Sequence, residues 1–223
     1  MYAAKTDPAD RKRAPSKRAQ ETHRKVLDAA EKMFSDRGFD GTTVRDIAAR
    51  AGVTAALVTF HGGPKEHLFE TVVERRAQEL SALRMARLNA ILAAGDPDLR
   101  ALLKAFIHPF LDIARDRDPG WLAYARLVAM VSADARWADL TRRCFDPTAQ
   151  RFAQEMARCL PGVPVRDVAA GFVFTVSAML SLCTSQWRVD VLAGHEPSPP
   201  LDPKLLEKLL NFCEAGLLAL PRS

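Results

Sequence analysis

Residues 42–61 read TTVRDIAARAGVTAALVTFH, and the fold follows from how this stretch is read. Thr43 has the side chain of a helix N-cap. Asp46, three positions on, gives the Thr-x-x-acid form of the capping box, in which Glu or Gln is the usual partner. Ile47, Ala48 and Ala51 recur at helical spacing, so one face of this first helix is apolar. Gly52 follows that face, where a helix end favours a residue that tolerates positive φ. Val53 packs the turn, Thr54 caps a second helix, and Leu57 and Val58 are expected on its buried side. Small residues, Ile, Gly, Val and a later apolar residue at these intervals form the pattern of a helix-turn-helix.

Upstream, a helix is expected from about Gln20–Thr22 to Arg37, with Val26, Leu27, Ala29, Ala30, Met33 and Phe34 as its apolar face. Gly38 ends it, and Phe39 packs beneath it. Asp28 and Glu31 fall on its polar face and read as solvated charge. Downstream, Gly62-Gly63-Pro64 breaks the second motif helix, and Lys65 opens a long amphipathic helix to about Ala93. Its apolar positions are Leu68, Phe69, Val72, Val73, Leu80, Leu83, Met85, Leu88, Ile91 and Leu92, with Glu74, Arg75, Arg76 and Glu79 opposite.

Punctuation then divides the chain into further helices. Asp96 caps and Pro97 begins one that runs to Arg115 with a kink at Pro109. Others are expected at 121–133, 136–144, 146–160, 165–191 and 202–220. No run alternates with period two, so the fold class is all-α with nine or so helices. The expected organisation is a flexible basic arm (1–20), a three-helix helix-turn-helix domain (21–66) and a larger helical domain (67–223).

The net charge is +5, and it is unevenly placed. Residues 1–25 hold eight basic side chains, among them Arg11, Lys12, Arg13, Lys17 and Arg18, against Asp7, Asp10 and Glu21, which accounts for the whole excess. Such an arm suits a polyanion, although a merely solubilising tail has the same composition. Cys144, Cys159, Cys183 and Cys213 are far apart without a Cys/His cluster, so unpaired thiols in a reducing cytosol are expected, with no metal and no cofactor. From Val168 to Trp187 no charged residue occurs. Its scattered Thr, Ser and Gln side chains favour a buried helix over a membrane span. No nucleophile elbow, phosphate loop or H-E-x-x-H motif is present, which argues against an enzyme.

The order of these pieces closely resembles the TetR family of transcriptional regulators. The stretches HRKVLDAAEKMFSDRGFDGTTVRDIAARAGV and KEHLFETVV carry the resemblance, and the rest of the chain shares only helix count and layout. The resemblance implies a cytoplasmic homodimer that binds a palindromic double-stranded DNA operator. It also implies repression relieved by a small-molecule effector in the C-terminal helices. Thr43, Arg45 and Lys65 would contact phosphate, Thr54 would cap the recognition helix against the backbone, and Ala55, Thr59, Phe60 and His61 would face the groove. His61 equally suits a plain helix-end position. Arg13, Lys17 and Arg18 would follow phosphates or the minor groove.

The chain departs from the family at Gly62, Pro64 and Phe60, and Ala55 and Ala56 offer no polar group to a base. The reading segment is therefore expected to be loosely held and poor in direct readout. Phe106, His108, Phe110, Trp121, Tyr124, Arg126 and Phe172 are the candidate lining of an effector pocket. The last two long helices would form the four-helix dimer interface, with Ala169, Ala170, Gly171, Ala178 and Ser181 allowing close approach.

Overall fold

The computed structural model of the protein describes residues 16–116, 120–196 and 201–222. Among them are eleven α-helices and no strand. They are α1 (Lys17–Arg37), α2 (Val44–Ala51), α3 (Ala55–Gly62), α4 (Lys65–Ala93), α5 (Leu99–Asp116), α6 (Gly120–Ala133), α7 (Ala138–Cys144), α8 (Asp146–Cys159), α9 (Val165–Ser185), α10 (Trp187–Leu192) and α11 (Pro203–Leu218). A single 3-10 turn, Ala135–Trp137, joins α6 to α7.

Most helix ends fall where the sequence places them, and the differences have local causes. α1 begins at Lys17, ahead of the expected Gln20, because the Ser16 hydroxyl accepts the Ala19 amide at 3.2 Å. α5 begins after Asp98 rather than Asp96, since it is the Asp98 carboxylate that accepts the Ala101 amide, at 2.7 Å. The expected 165–191 helix divides at Gln186. The buried Oε1 of Gln186 accepts the amides of Leu201 (2.6 Å) and Asp202 (3.2 Å) and so fastens the start of α11.

One contiguous core runs through the molecule. At the N-terminal end Val26, Ala30 and Phe34 of α1 close over Ile47, Val58, Leu68 and Phe69. In the body Leu102, Phe106, Trp121, Tyr124, Phe152 and Leu210 fill the space between α4, α5, α6, α8, α9 and α11. The two parts meet where the Trp137 ring lies 5.0 Å from Phe39 and 4.5 Å from Phe69. α1 packs on both α4 and α6, so the short helices rest directly on the body.

Charge reinforces that seam. Glu31 is only 3% exposed, with Arg75 at 2.5 Å and Arg76 at 2.6 Å, and Arg75 also reaches Asp28 at 2.7 Å. Glu31 is therefore a buried tie between α1 and α4, not the solvated charge expected from helix phase. A carboxylate can leave water here because two guanidiniums meet it.

α9 has the length and hydropathy of a membrane span, but it packs on α6, α8 and α11 along one side. Val173 and Phe174 of α9 are exposed, as are Phe212 and Leu218 of α11. Gly171 sits on the packed side: a Cβ there would lie 2.5 Å from Leu217 Cδ2. The close approach that Gly171 allows is thus to α11 of the same chain, not to a partner.

Candidate nucleic-acid interface

α2 and α3 are each built from a cap and a stop. The Thr43 hydroxyl accepts the Asp46 amide at 3.1 Å, while the Thr43 amide donates to Asp46 Oδ2 at 3.0 Å. The Thr43 hydroxyl, and then its amide, hold the Asp46 carboxyl below its ordinary value. Gly52 ends α2 at φ 66°, in the left-handed region where a Cβ is disfavoured. Thr54 caps α3 by accepting the Leu57 amide at 3.3 Å, and Gly63 stops it at φ 71°. Thr42 is fully buried, with its hydroxyl 2.8 Å from the Gly38 carbonyl and 3.1 Å from that of Met33, so the α1–α2 loop is pinned from inside.

This arrangement sorts the expected phosphate contacts. The Thr43 hydroxyl donates its proton to Asp46 Oδ2 at 2.7 Å, so it has none left for a phosphate and the nearby carboxylate opposes an anion. In this structure Thr43 serves as the cap of α2. Thr54 uses only its oxygen as a cap, so its O–H remains free to donate, next to the positive end of α3. Arg45 is exposed and makes no ion pair among the described residues. Lys65 donates to the carbonyls of Phe39 (3.0 Å) and Thr42 (3.1 Å) and lies 4.1 Å over the Phe39 ring. Its ammonium ties α4 to the α1–α2 loop, which leaves one of its three protons for an anion.

α3 presents Ala55, Ala56, Thr59 and Phe60 to solvent. Phe60 is 79% exposed, an unusual position for a phenyl ring in a folded chain. Leu57, expected inside, is instead exposed, and Val58 alone anchors the middle of α3. The Thr59 hydroxyl donates back to the Ala55 carbonyl at 3.2 Å. His61 is half-buried, with its ring 6.0 Å from His23 of α1, so the first half of α1 lies beside the last turn of α3. Lys17 and Arg18 are exposed in the first turn of that same helix. Arg11, Lys12 and Arg13 lie outside the described residues. Gly62 is buried because Leu68 needs the space, since a Cβ there would fall 2.7 Å from Leu68 Cδ1. The glycine therefore seats α4 against α3.

The residues expected to line a pocket do not enclose an open one. Phe106 packs on Phe172 at 4.8 Å and on Phe152 at 5.2 Å. Trp121 packs on Tyr124 at 5.5 Å and on Phe110 at 5.8 Å. Tyr124 is fully buried with its hydroxyl 3.4 Å from the Val73 carbonyl, and burial pushes its pKa up. Arg126 lies at the surface, 3.8 Å from Asp36. His108 keeps Nε2 buried without a partner, and desolvation lowers its pKa. An open cleft in the body, ≈ 400 Å³, lies beside α4, α7 and α8, lined by Ala77, Ser81, Cys144, Pro147 and Thr148 among others.

Arg84 is the body residue that pattern reading missed. It stands four residues after Leu80 and four before Leu88, on the buried line of α4, and is 7% exposed. Treating every charge as outward put Leu83 and Met85 on that line in its place, and these are only half-buried.

Comparison with known proteins gives consistent matches. Residues 26–72 match the family described as bacterial regulatory proteins, tetR family, and residues 104–216 match the tetracyclin repressor-like C-terminal domain. The HTH-type transcriptional regulator BetI of Burkholderia mallei is 25% identical over 209 residues, covering 87% of this chain and 92% of its own. BetI of Burkholderia thailandensis is 28% identical over 202 residues, covering 89% and 93%. Among solved structures, a TetR-family regulator from Shewanella sp. PV-4 superposes with a TM-score of 0.61 at 17% identity, over 88% of this chain and 96% of that one. Another from Streptomyces coelicolor gives 0.55 at 22% identity, over 90% and 99%.

Proposed function

The chain belongs to the TetR family of bacterial transcriptional regulators, and from that premise we propose that it represses transcription as a homodimer on a palindromic operator. One observation carries the reading: α3 is capped and stopped at both ends, yet leaves Ala55, Thr59 and Phe60 exposed beside the free Thr54 hydroxyl and Arg45. In this reading residues 21–66 read DNA, and residues 67–223 dimerise and hold a small-molecule effector. The exposed side of α9 and α11 is the dimer face, which places two copies of α3 at half-sites about one turn of DNA apart.

The groove-facing surface is largely apolar, so its direct readout falls on thymine methyl groups, met by Phe60 and Ala55. Phosphate contacts from Arg45, Thr54, Lys17 and Arg18, with the basic arm, supply most of the affinity. Release works through α4, which begins at the reading helices and packs along α5 of the body. A tilt of α4 moves Lys65 and the Trp137 seam together and so changes the separation of the two α3 helices. An effector need favour the tilted geometry by only about 1–3 kcal/mol, the usual scale of allosteric coupling.

The test is selection of bound fragments from a random DNA pool, followed by competition with candidate metabolites. Enrichment of an inverted repeat with thymine-rich half-sites is expected, with Phe60→Ala losing selectivity at those thymines more than overall affinity. Recovery of no sequence preference above the starting pool would sink the operator reading.

A further inference from the structure

Two buried carboxylates show how this protein handles charge in its interior. Glu31 is met by Arg75 and Arg76, and Glu155 by Arg151 and Arg158. Arg84, the buried cation among the described residues, has no carboxylate at all. Its Nε donates to the Phe106 carbonyl at 2.8 Å, one Nη reaches Met179 Sδ at 3.6 Å, and its guanidinium lies 3.7 Å over the Phe106 ring. A thioether is a weak acceptor and an aromatic face cannot replace a counter-ion. The kink at Pro109 does not account for the residue either: Pro109 orphans the carbonyl four positions earlier, on Ala105, whereas Arg84 bonds that of Phe106. Burial lowers the pKa to about 9, which still leaves the group charged at neutral pH.

We propose that Arg84 anchors a site for a small amphipathic anion, a carboxylate on an acyl or aryl body, which supplies the missing counter-ion. The inference rests on the reading of the helical body as the effector-holding part. A planar guanidinium with free N–H groups matches a carboxylate in geometry. Its surroundings, Phe106, Phe172 and Met179, call for an apolar body. Met179 is the unbranched side chain most able to move aside for it. Ser81, one helical turn before Arg84 on α4, lines an open cleft together with Thr148, which it bonds at 3.0 Å, so that cleft comes within one turn of Arg84.

The experiment is calorimetric titration of the full chain with sodium octanoate and sodium 3-phenylpropionate, and with their methyl esters as neutral probes. At least one acid should bind, its ester should bind about tenfold or more weakly, and Arg84→Met should remove the preference. Arg84→Lys, which keeps the charge but not the planar fork, should fall between. Thermal melting of unliganded Arg84→Met shows whether the variant folds, since the substitution also strips the Phe106 carbonyl of its donor. Equal binding of acid and ester, or no binding of either acid at millimolar concentration, would overturn the proposal.

Polarisation of labelled operator DNA separates this site from the wider reading. Acid binding that depends on Arg84 but leaves operator affinity unchanged would uphold the site and refute the effector model. Release of DNA by a neutral metabolite, undiminished in Arg84→Met, would uphold the effector model and overturn the site.

Discussion

Asp46 and Glu31 are both carboxylates of the reading end, and their surroundings set them apart. Asp46 is half-buried, and its capping box is legible in four consecutive residues because both partners belong to one helix turn. Glu31 was not legible: its partners Arg75 and Arg76 lie 44 and 45 positions away, and helix phase alone turns it to solvent. The pH behaviour of Asp46 follows from its lowered pKa. A carboxyl depressed in the folded state gives stability that is fully present above its ordinary value of 3.8 and is lost as pH falls through the lowered one. An acid titration followed by amide NMR should therefore show Val44–Ala51 fraying below that value, with Asp46→Asn already loosened at neutral pH and lacking the acid step. Identical titrations in the two proteins would show that the carboxylate does not hold α2. The same residue-scale view separates Thr43 from Thr54. Both are caps, but only Thr54 keeps its hydroxyl proton, a distinction that depends on atoms and not on residue type.

At the scale of the helix, punctuation was the dependable signal and phase the weaker one. Gly52, Gly63, Pro64 and the starts of α4 and α8 fall where breakers and caps require them. Leu57 was misjudged and Arg84 passed over, because an eight-residue helix has room for only a narrow buried line and a long one tolerates a charge within it. Aromatic spacing could not tell a filled core from a hollow one, and Phe106, Trp121 and Tyr124 fill theirs. The pairing of α9 with α11 depends on Gly171, whose missing Cβ leaves room for Leu217 and, at 3.3 Å, for Leu220. Gly171→Val adds three carbons against a fully buried leucine. Overpacking of that kind costs about 1–3 kcal/mol, and the better helix propensity of Val over Gly returns only a few tenths. The variant should unfold at lower urea concentration with an unchanged slope, and a midpoint at or above that of the wild type would show that α11 adjusts freely.

For the molecule as a whole, the unexplained surface is the apolar one. Phe174 is 67% exposed and Phe212 72%, on adjoining helices, with Val173 and Leu218 beside them. Single exposed leucines need no explanation, but two exposed phenyl rings on a packed helix pair suit a surface that a partner covers. On the proposed reading a second copy of the same face is its cover, since an isologous contact about a two-fold axis uses one patch twice. The consequence reaches the opposite end of the chain. On the proposed reading a monomer holds one half-site, whereas a dimer adds the second without a second loss of translational freedom. Phe174→Glu combined with Phe212→Glu places like charges across the axis without touching α1–α4. Light scattering at micromolar concentration should then report a monomer whose melting temperature stays near that of a dissociated wild type. Its affinity for the selected operator should fall about a hundredfold or more, while its affinity for a single half-site stays unchanged. If the double variant remains dimeric, the face is covered by something other than its own copy. If it is monomeric and still binds the full operator as tightly, reading does not depend on the pair.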